Sequence, residues 1–184
     1  METPSADPLV ARARELAIRL HDEAKQTRSD GAPYWTHPQR VAATLEKHGL
    51  PPAVVAAAWL HDVPEDCTPD LAGCEAMLAR IAGEFGPDVA SLVREVTNFA
   101  TPDETMEQKQ ARLREHAKHM SPHAKWIKLA DRLDNVSGMQ GWADSKKRRY
   151  ADATMLLLAA LKPLPPGSES TAAAIEAAAR AVSQ

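Results

Sequence analysis

The stretch VVAAAWLHDVPED, residues 54–66, poses a physical problem whose solution decides the fold. Val54 to Leu60 is apolar on every side and follows Pro51-Pro52, a pair suited to a helix start. A helix that is apolar all round is buried on all its faces, so other elements must wrap it. Yet this one delivers His61-Asp62 and then Glu65-Asp66, four ionisable groups within six residues. An ionised Asp in an apolar setting is costly unless it is paired or metal-bound. With residues 53–62 helical, His61 and Asp62 fall on the last turn. Pro64 disfavours helix at Val63, so the helix is expected to break there, with Glu65 and Asp66 on the turn that follows.

The flanking segments also read as helices. Residues 8–26 place Val10, Leu16, Ala17 and Leu20 near helical spacing, with Pro8 in the first turn. "SDGAPY", residues 29–34, is turn chemistry. A helix over 38–48 has Pro38 near its beginning and Gly49 as its stop. Helices follow over 71–84 and 87–97, a charged and exposed one over 103–119, then 122–138 and 143–162. "PLPPGSES", 163–170, reads as a linker before an Ala-rich helix over 171–181. No alternating strand pattern of any length occurs. The expected architecture is all-α, a helical bundle of about eight helices. One domain is expected over residues 1–184, with a core at 9–162 and a C-terminal segment at 171–184.

Composition narrows the function classes. The 184 residues suffice for a sizeable core, and 44% apolar with 26% charged residues is ordinary for a soluble domain. No run of about 18 apolar residues is present, so a spanning helix is not expected. METPSADPLV lacks the basic and apolar regions of a signal peptide, and the expected location is cytoplasmic. Cys67 and Cys74, spaced C-x6-C, match no common zinc motif and read as incidental thiols. A net charge of −3 and 4% aromatic residues argue against a nucleic-acid binder. They leave room for a small phosphorylated ligand, because a local cluster of Lys and Arg suffices to hold one.

Two further stretches carry metal-ligand chemistry. In "KWIKLADRLDNV", 125–136, Trp126, Ile127, Leu129, Ala130, Leu133 and Val136 share one broad helical face. Asp131 falls at its edge and Asn135 one turn further on; the alternative for Asp131 is a solvated acid paired with Lys128 or Arg132. In "PYWTHPQRVA", 33–42, His37 stands directly before Pro38, and its alternative is an ordinary polar residue. Imidazole with carboxylate suits Mn, Fe, Zn, Co or Ni. Two His and two Asp leave positions open on a six-coordinate ion, as metal-assisted hydrolysis requires.

With these stretches in place, the chain resembles the HD-domain superfamily of metal-dependent phosphohydrolases. More narrowly it resembles the hydrolase domain of the RelA/SpoT family and its single-domain relatives, the small alarmone hydrolases. "QTRSDGAPYWTHPQRVA", "AAAWLHDVPEDC", "FGPDVASLVREVT", "QKQARLREHA" and "AKWIKLADRLDNV" carry the resemblance, in the family's order, over roughly residues 9–162. It implies His37, His61, Asp62 and Asp131 as metal ligands, with manganese the usual ion. It implies Glu65 and Asp66 as the acidic pair handling the attacking water. Arg28 would lie against the purine base, Asn135 near the sugar, and Lys146 and Tyr150 on phosphate groups. The implied reaction is hydrolysis of (p)ppGpp to GDP or GTP and pyrophosphate. The basic run Lys146 to Arg149 contributes positive potential or, for Lys147 and Arg148, a solvated helix face.

The chain departs from the family pattern at several positions. Ser29 follows the Arg where relatives often have Lys. "EVTNFAT" replaces a Thr-Asp followed by Lys, so Ala100 brings no phosphate contact. Pro64 lies inside the acidic motif. The missing cations suggest a looser purine preference, with (p)ppApp as a second substrate. Two competing readings keep the fold: an HD-type phosphatase acting on NADPH or nucleotide monoesters, and a non-catalytic ligand-sensing module.

Overall fold

A computed structural model describes residues 7–99 and 103–182. The expectations placed on Met1–Ala6 and on Ala100 lie outside these residues. Ten helices are present among the described residues: α1 (Pro8–Glu23), α2 (Thr36–Lys47), α3 (Pro52–Leu60), α4 (Val63–Asp66), α5 (Leu71–Phe85), α6 (Pro87–Val96), α7 (Met106–His119), α8 (Pro122–Ser137), α9 (Asp144–Ala160) and α10 (Glu169–Val182). They contain no strand; one isolated antiparallel bridge pairs Thr27 with Pro33. The all-α expectation holds. Two compact units divide the chain, α1–α6 in residues 1–100 and α7–α10 in residues 101–184.

In the first unit α3 is the central element, packed by α1, α2 and α6. Every residue from Val54 to Leu60 is buried, and Ala56, Ala57 and Ala58 are wholly enclosed. α1 begins at Asp7, whose carboxylate accepts the Leu9 N–H at 2.8 Å, with Pro8 in the first turn. It ends at Glu23, three residues before the expected end at Gln26, because Lys25 takes a left-handed φ of 53° and turns the chain back. Gly49, at φ 69°, stops α2 where the sequence indicates.

One boundary differs in a way that matters to the site. α3 stops at Leu60, ahead of His61, and a new helical turn begins at Val63. Pro64 carries no N–H for the Leu60 carbonyl and its ring crowds that position. It is tolerated inside the first turn of α4, where no N–H is needed. His61 and Asp62 therefore occupy the reversal itself, and Val63 is helical.

In the second unit α10 packs on α8 and α9, and α7 on α9. α7 starts with a reciprocal Thr105–Gln108 capping box and buries Ala117 alone, the exposed helix its charges predict. α8 is capped by Ser121, whose hydroxyl accepts the Ala124 N–H at 3.2 Å. The stretch read as a linker is anchored. Pro163 O accepts from Lys125 Nζ at 3.2 Å, and buried Ser168 donates to Pro165 O at 2.7 Å. α10 follows with Ala172, Ile175 and Ala179 buried.

Candidate metal centre

The break between α3 and α4 brings His61 and Asp62 against His37, which enters from the first turn of α2. His37 is held there by its backbone N–H, which donates to Tyr34 O at 2.8 Å. His37 Nε2 lies 3.5 Å from Asp62 Oδ2, and His61 Nε2 lies 3.2 Å from Asp62 Oδ1. The two imidazoles meet edge to face, with centroids 5.2 Å apart. One ligand atom from each of the three residues falls within 4.8 Å of the others.

Hydrogen bonding sets the direction of the His61 lone pair. Nδ1 stands 2.7 Å from the Ala58 carbonyl oxygen, which can only accept. Nδ1 therefore carries the proton, and in the neutral ring Nε2 presents a lone pair. That Nε2 is buried without a hydrogen-bond partner among the described residues. A lone pair facing a carboxylate oxygen is repulsive unless a cation lies between them. Two ligands at about 2.1 Å, at right angles on one ion, stand roughly 3 Å apart, close to the His61–Asp62 spacing. These residues fit a divalent cation.

Asp62 is further held by the Tyr34 hydroxyl, which donates to Oδ2 at 2.8 Å. Burial, then the charges of Asp62 and Asp66, push the Tyr34 phenol far above its ordinary pKa and keep it a donor. Asp66 is exposed as a residue, yet desolvation of its carboxyl by the surrounding protein, and next the Asp62 charge, raise its pKa above the usual carboxylate value. Beside this group, His21 is fully buried, with Nδ1 2.6 Å from Gln26 Oε1, and Gln26 Nε2 donates to Asp66 O at 2.5 Å. Cys67 Sγ is 3.4 Å from the same His21 nitrogen, and burial ahead of the neighbouring acids pushes its thiol pKa up to about 12. Both cysteines are free thiols.

The remaining expected residues are placed as follows. Glu65 Oε1 accepts the Asn98 backbone N–H at 2.6 Å, so this acid braces the chain after α6. Arg28 lies half-buried in the loop closed by the Thr27–Pro33 bridge, its backbone N–H donating to Ala32 O at 2.8 Å. In the second unit Asp131 is buried on α8. Lys128 Nζ is 3.2 Å from its Oδ2, and Asn135 Nδ2 donates to its Oδ1 at 2.5 Å. The alternative of a Lys128 pair is thus realised, but inside the protein rather than in solvent. Lys146 and Tyr150 belong to a ladder of cations and rings. Arg132 lies 4.7 Å over Tyr150, Tyr150 meets Trp142 edge-on at 5.2 Å, and Lys146 Nζ lies 4.0 Å over Trp142.

Sequence reasoning did not single out Tyr34, His21 or Gln26 in the first unit, nor Arg132 and Trp142 in the second as ring partners. Tyr34 stands three residues before His37, in a stretch already quoted for the histidine. His21 shares the buried face of α1 with Val10, Ala13, Leu16 and Ala17, and a polar residue on an apolar stripe was the available signal.

An all-helical fold with His, His and Asp clustered at a helix break defines a helical metal-site protein. A family model described as HD domain matches residues 13–162, and the chain belongs to the HD domain family. Guanosine-3′,5′-bis(diphosphate) 3′-pyrophosphohydrolase MESH1 of Xenopus tropicalis is 34% identical over 149 residues, 77% of this chain and 78% of that protein. The probable guanosine-3′,5′-bis(diphosphate) 3′-pyrophosphohydrolase of Synechocystis is 36% identical over 167 residues, 87% of this chain but 20% of that longer protein. A solved structure, described as a metazoan ortholog of SpoT that hydrolyzes ppGpp and plays a role in starvation responses, superposes with a TM-score of 0.75. Its sequence is 27% identical, and the match covers 99% of this chain and 96% of that one. Among the described residues no helix is long and apolar enough to cross a membrane.

Proposed function

We propose that this chain is a metal-dependent hydrolase that removes the 3′-pyrophosphate of (p)ppGpp, releasing pyrophosphate and the 5′-nucleotide. The observation that carries the reading is the His37–His61–Asp62 cluster, in which His61 Nε2 has no hydrogen-bond donor or acceptor partner among the described residues and faces a carboxylate. It stands in a chain 34% identical to a protein named for that reaction. Asp131 is the fourth ligand in this reading, on the strength of the "KLADRLDN" motif, and Mn²⁺ the preferred ion. The reading treats residues 1–184 as one working domain acting in the cytoplasm.

When bound, a divalent ion supplies Lewis acidity, which neutralises phosphate charge and acidifies water. The chain's own residues do the rest. The acidic pair Glu65 and Asp66 takes the proton from the attacking water, and Asp66, with its raised pKa, holds that proton more tightly than an ordinary carboxylate. Glu65 joins this role through its place beside Asp66, while its tie to Asn98 fixes the turn. Arg28 faces the base, Asn135 the sugar, and Lys146 and Tyr150 the phosphates. Positive charge there stabilises the negative charge that develops on the leaving group. Without Lys at positions 29 and 100 the purine is held less selectively, so (p)ppApp is a second substrate.

Incubation with ppGpp and Mn²⁺, read by chromatography, tests this. Free pyrophosphate is expected, with loss of turnover in Asp62→Ala. Orthophosphate release, or turnover of NADPH in place of ppGpp, would indicate the phosphatase reading. No turnover of any of these would indicate a sensing module. Glu65→Ala should lower kcat more than it raises KM. A strong bias to the guanine alarmone over ppApp would remove the second substrate.

A further inference from the structure

We propose that Tyr34 is a positioning residue that presets Asp62 for the cation. The inference rests on the metal-centre reading above. Asp62 lies between two helices, its side chain makes no cap bond, and the terminal torsion of an Asp is soft. A carboxylate so placed needs an outside donor to fix which oxygen faces which histidine. Tyr34 supplies one: its hydroxyl holds Oδ2, the oxygen 3.5 Å from His37 Nε2, and so turns Oδ1 toward His61 Nε2 at 3.2 Å.

Tyr34 is itself held at several points. Its N–H donates to Gln26 O at 3.1 Å, and its carbonyl accepts the His37 N–H at 2.8 Å. Its ring packs against those of His21 and His37, with centroids at 4.9 and 5.9 Å. One residue thus grips two candidate ligands from separate segments, His37 through the backbone and Asp62 through the side chain. Ligand-orienting partners of this kind are worth roughly 10–100-fold in metal affinity.

The test is Mn²⁺ titration of the metal-free full chain by calorimetry. Tyr34→Phe keeps the ring and both backbone bonds and removes only the O–H. Its Kd for Mn²⁺ should rise roughly 10–100-fold, while the metal-free melting midpoint stays within a few degrees. Tyr34→Leu removes the ring as well and should weaken Mn²⁺ by a similar factor. Wild-type affinity in Tyr34→Phe, with weakening confined to Tyr34→Leu, would assign the effect to ring packing and overturn the inference. Asp62→Ala separates this from the larger reading. If Asp62→Ala loses Mn²⁺ and Tyr34→Phe does not, the Tyr34 inference alone fails. If Asp62→Ala binds Mn²⁺ as the wild type does, the metal centre itself fails.

Discussion

His61 Nδ1 stands 2.7 Å from the carbonyl oxygen of Ala58, one helical turn back. That bond decides which imidazole nitrogen is free, and so makes the buried end of α3 a donor site. In the metal-free protein at pH 8, nitrogen NMR should show His61 with its proton on Nδ1 and a bare Nε2. Added Mn²⁺ should broaden the His61 and His37 ring signals together. An Nε2–H tautomer, or broadening of neither ring, would contradict this assignment.

Asp66 gives the metal-free protein a pH dependence of definite sign. Desolvation of its carboxyl by the surrounding protein, and next the Asp62 charge, raise the folded pKa of this otherwise exposed residue above the unfolded value. A carboxyl of this kind binds its proton more tightly in the fold, so its contribution is favourable below the unfolded value of about 3.9. That contribution is lost as pH rises through the folded value and is absent above it. Asp66→Asn should therefore be more stable than wild type at pH 7, and the gap should narrow in acid. Urea midpoints from pH 4 to 7, without metal, measure it; a gap that widens in acid would reverse the sign.

The parts of the site legible in the sequence are those where one segment carries both the apolar pattern and the polar break. Val54 to Leu60 announces a buried helix, and His61-Asp62 at its end announces two of the three residues that cluster as candidate ligands. Pro64 announced a break, though its reach back to the Leu60 carbonyl moved that break ahead of His61. What the sequence hid depends on encounters between distant segments: Tyr34 with Asp62, Glu65 with the Asn98 N–H, Arg132 with Tyr150. No local spacing encodes such pairs. Helix ends depart from the local sequence pattern where a single backbone angle intervenes, as at Lys25.

The buried pair of Lys128 and Asp131 predicts a large stability effect from one substitution. Both side chains are less than a tenth exposed, with Nζ 3.2 Å from Oδ2. Lys128→Met keeps the bulk and leaves the Asp131 charge with Asn135 as a remaining donor. Breaking such a pair from one side costs on the order of 3 kcal/mol. Removing both charges, in Lys128→Met with Asp131→Asn, should recover most of that loss. Denaturant unfolding of the three proteins without metal reads it. Equal stability of the single variant and wild type would mean the pair is far better solvated than its burial indicates.

α10 predicts a contrast between its two faces. Ile175 is fully buried within the second unit, whose α8 and α9 pack against this helix. Ile175→Ala removes buried methyl groups and leaves a cavity, a change worth about 2–5 kcal/mol. On the outer face, Arg180 Nε donates to Glu176 Oε1 at 3.0 Å, an exposed pair one turn apart. Glu176→Ala should cost no more than a few tenths of a kcal/mol. Urea unfolding of the two variants beside wild type measures the contrast. A frayed C-terminal helix would make both substitutions silent, whereas a helix integral to its unit makes the inner one severe and the outer one negligible.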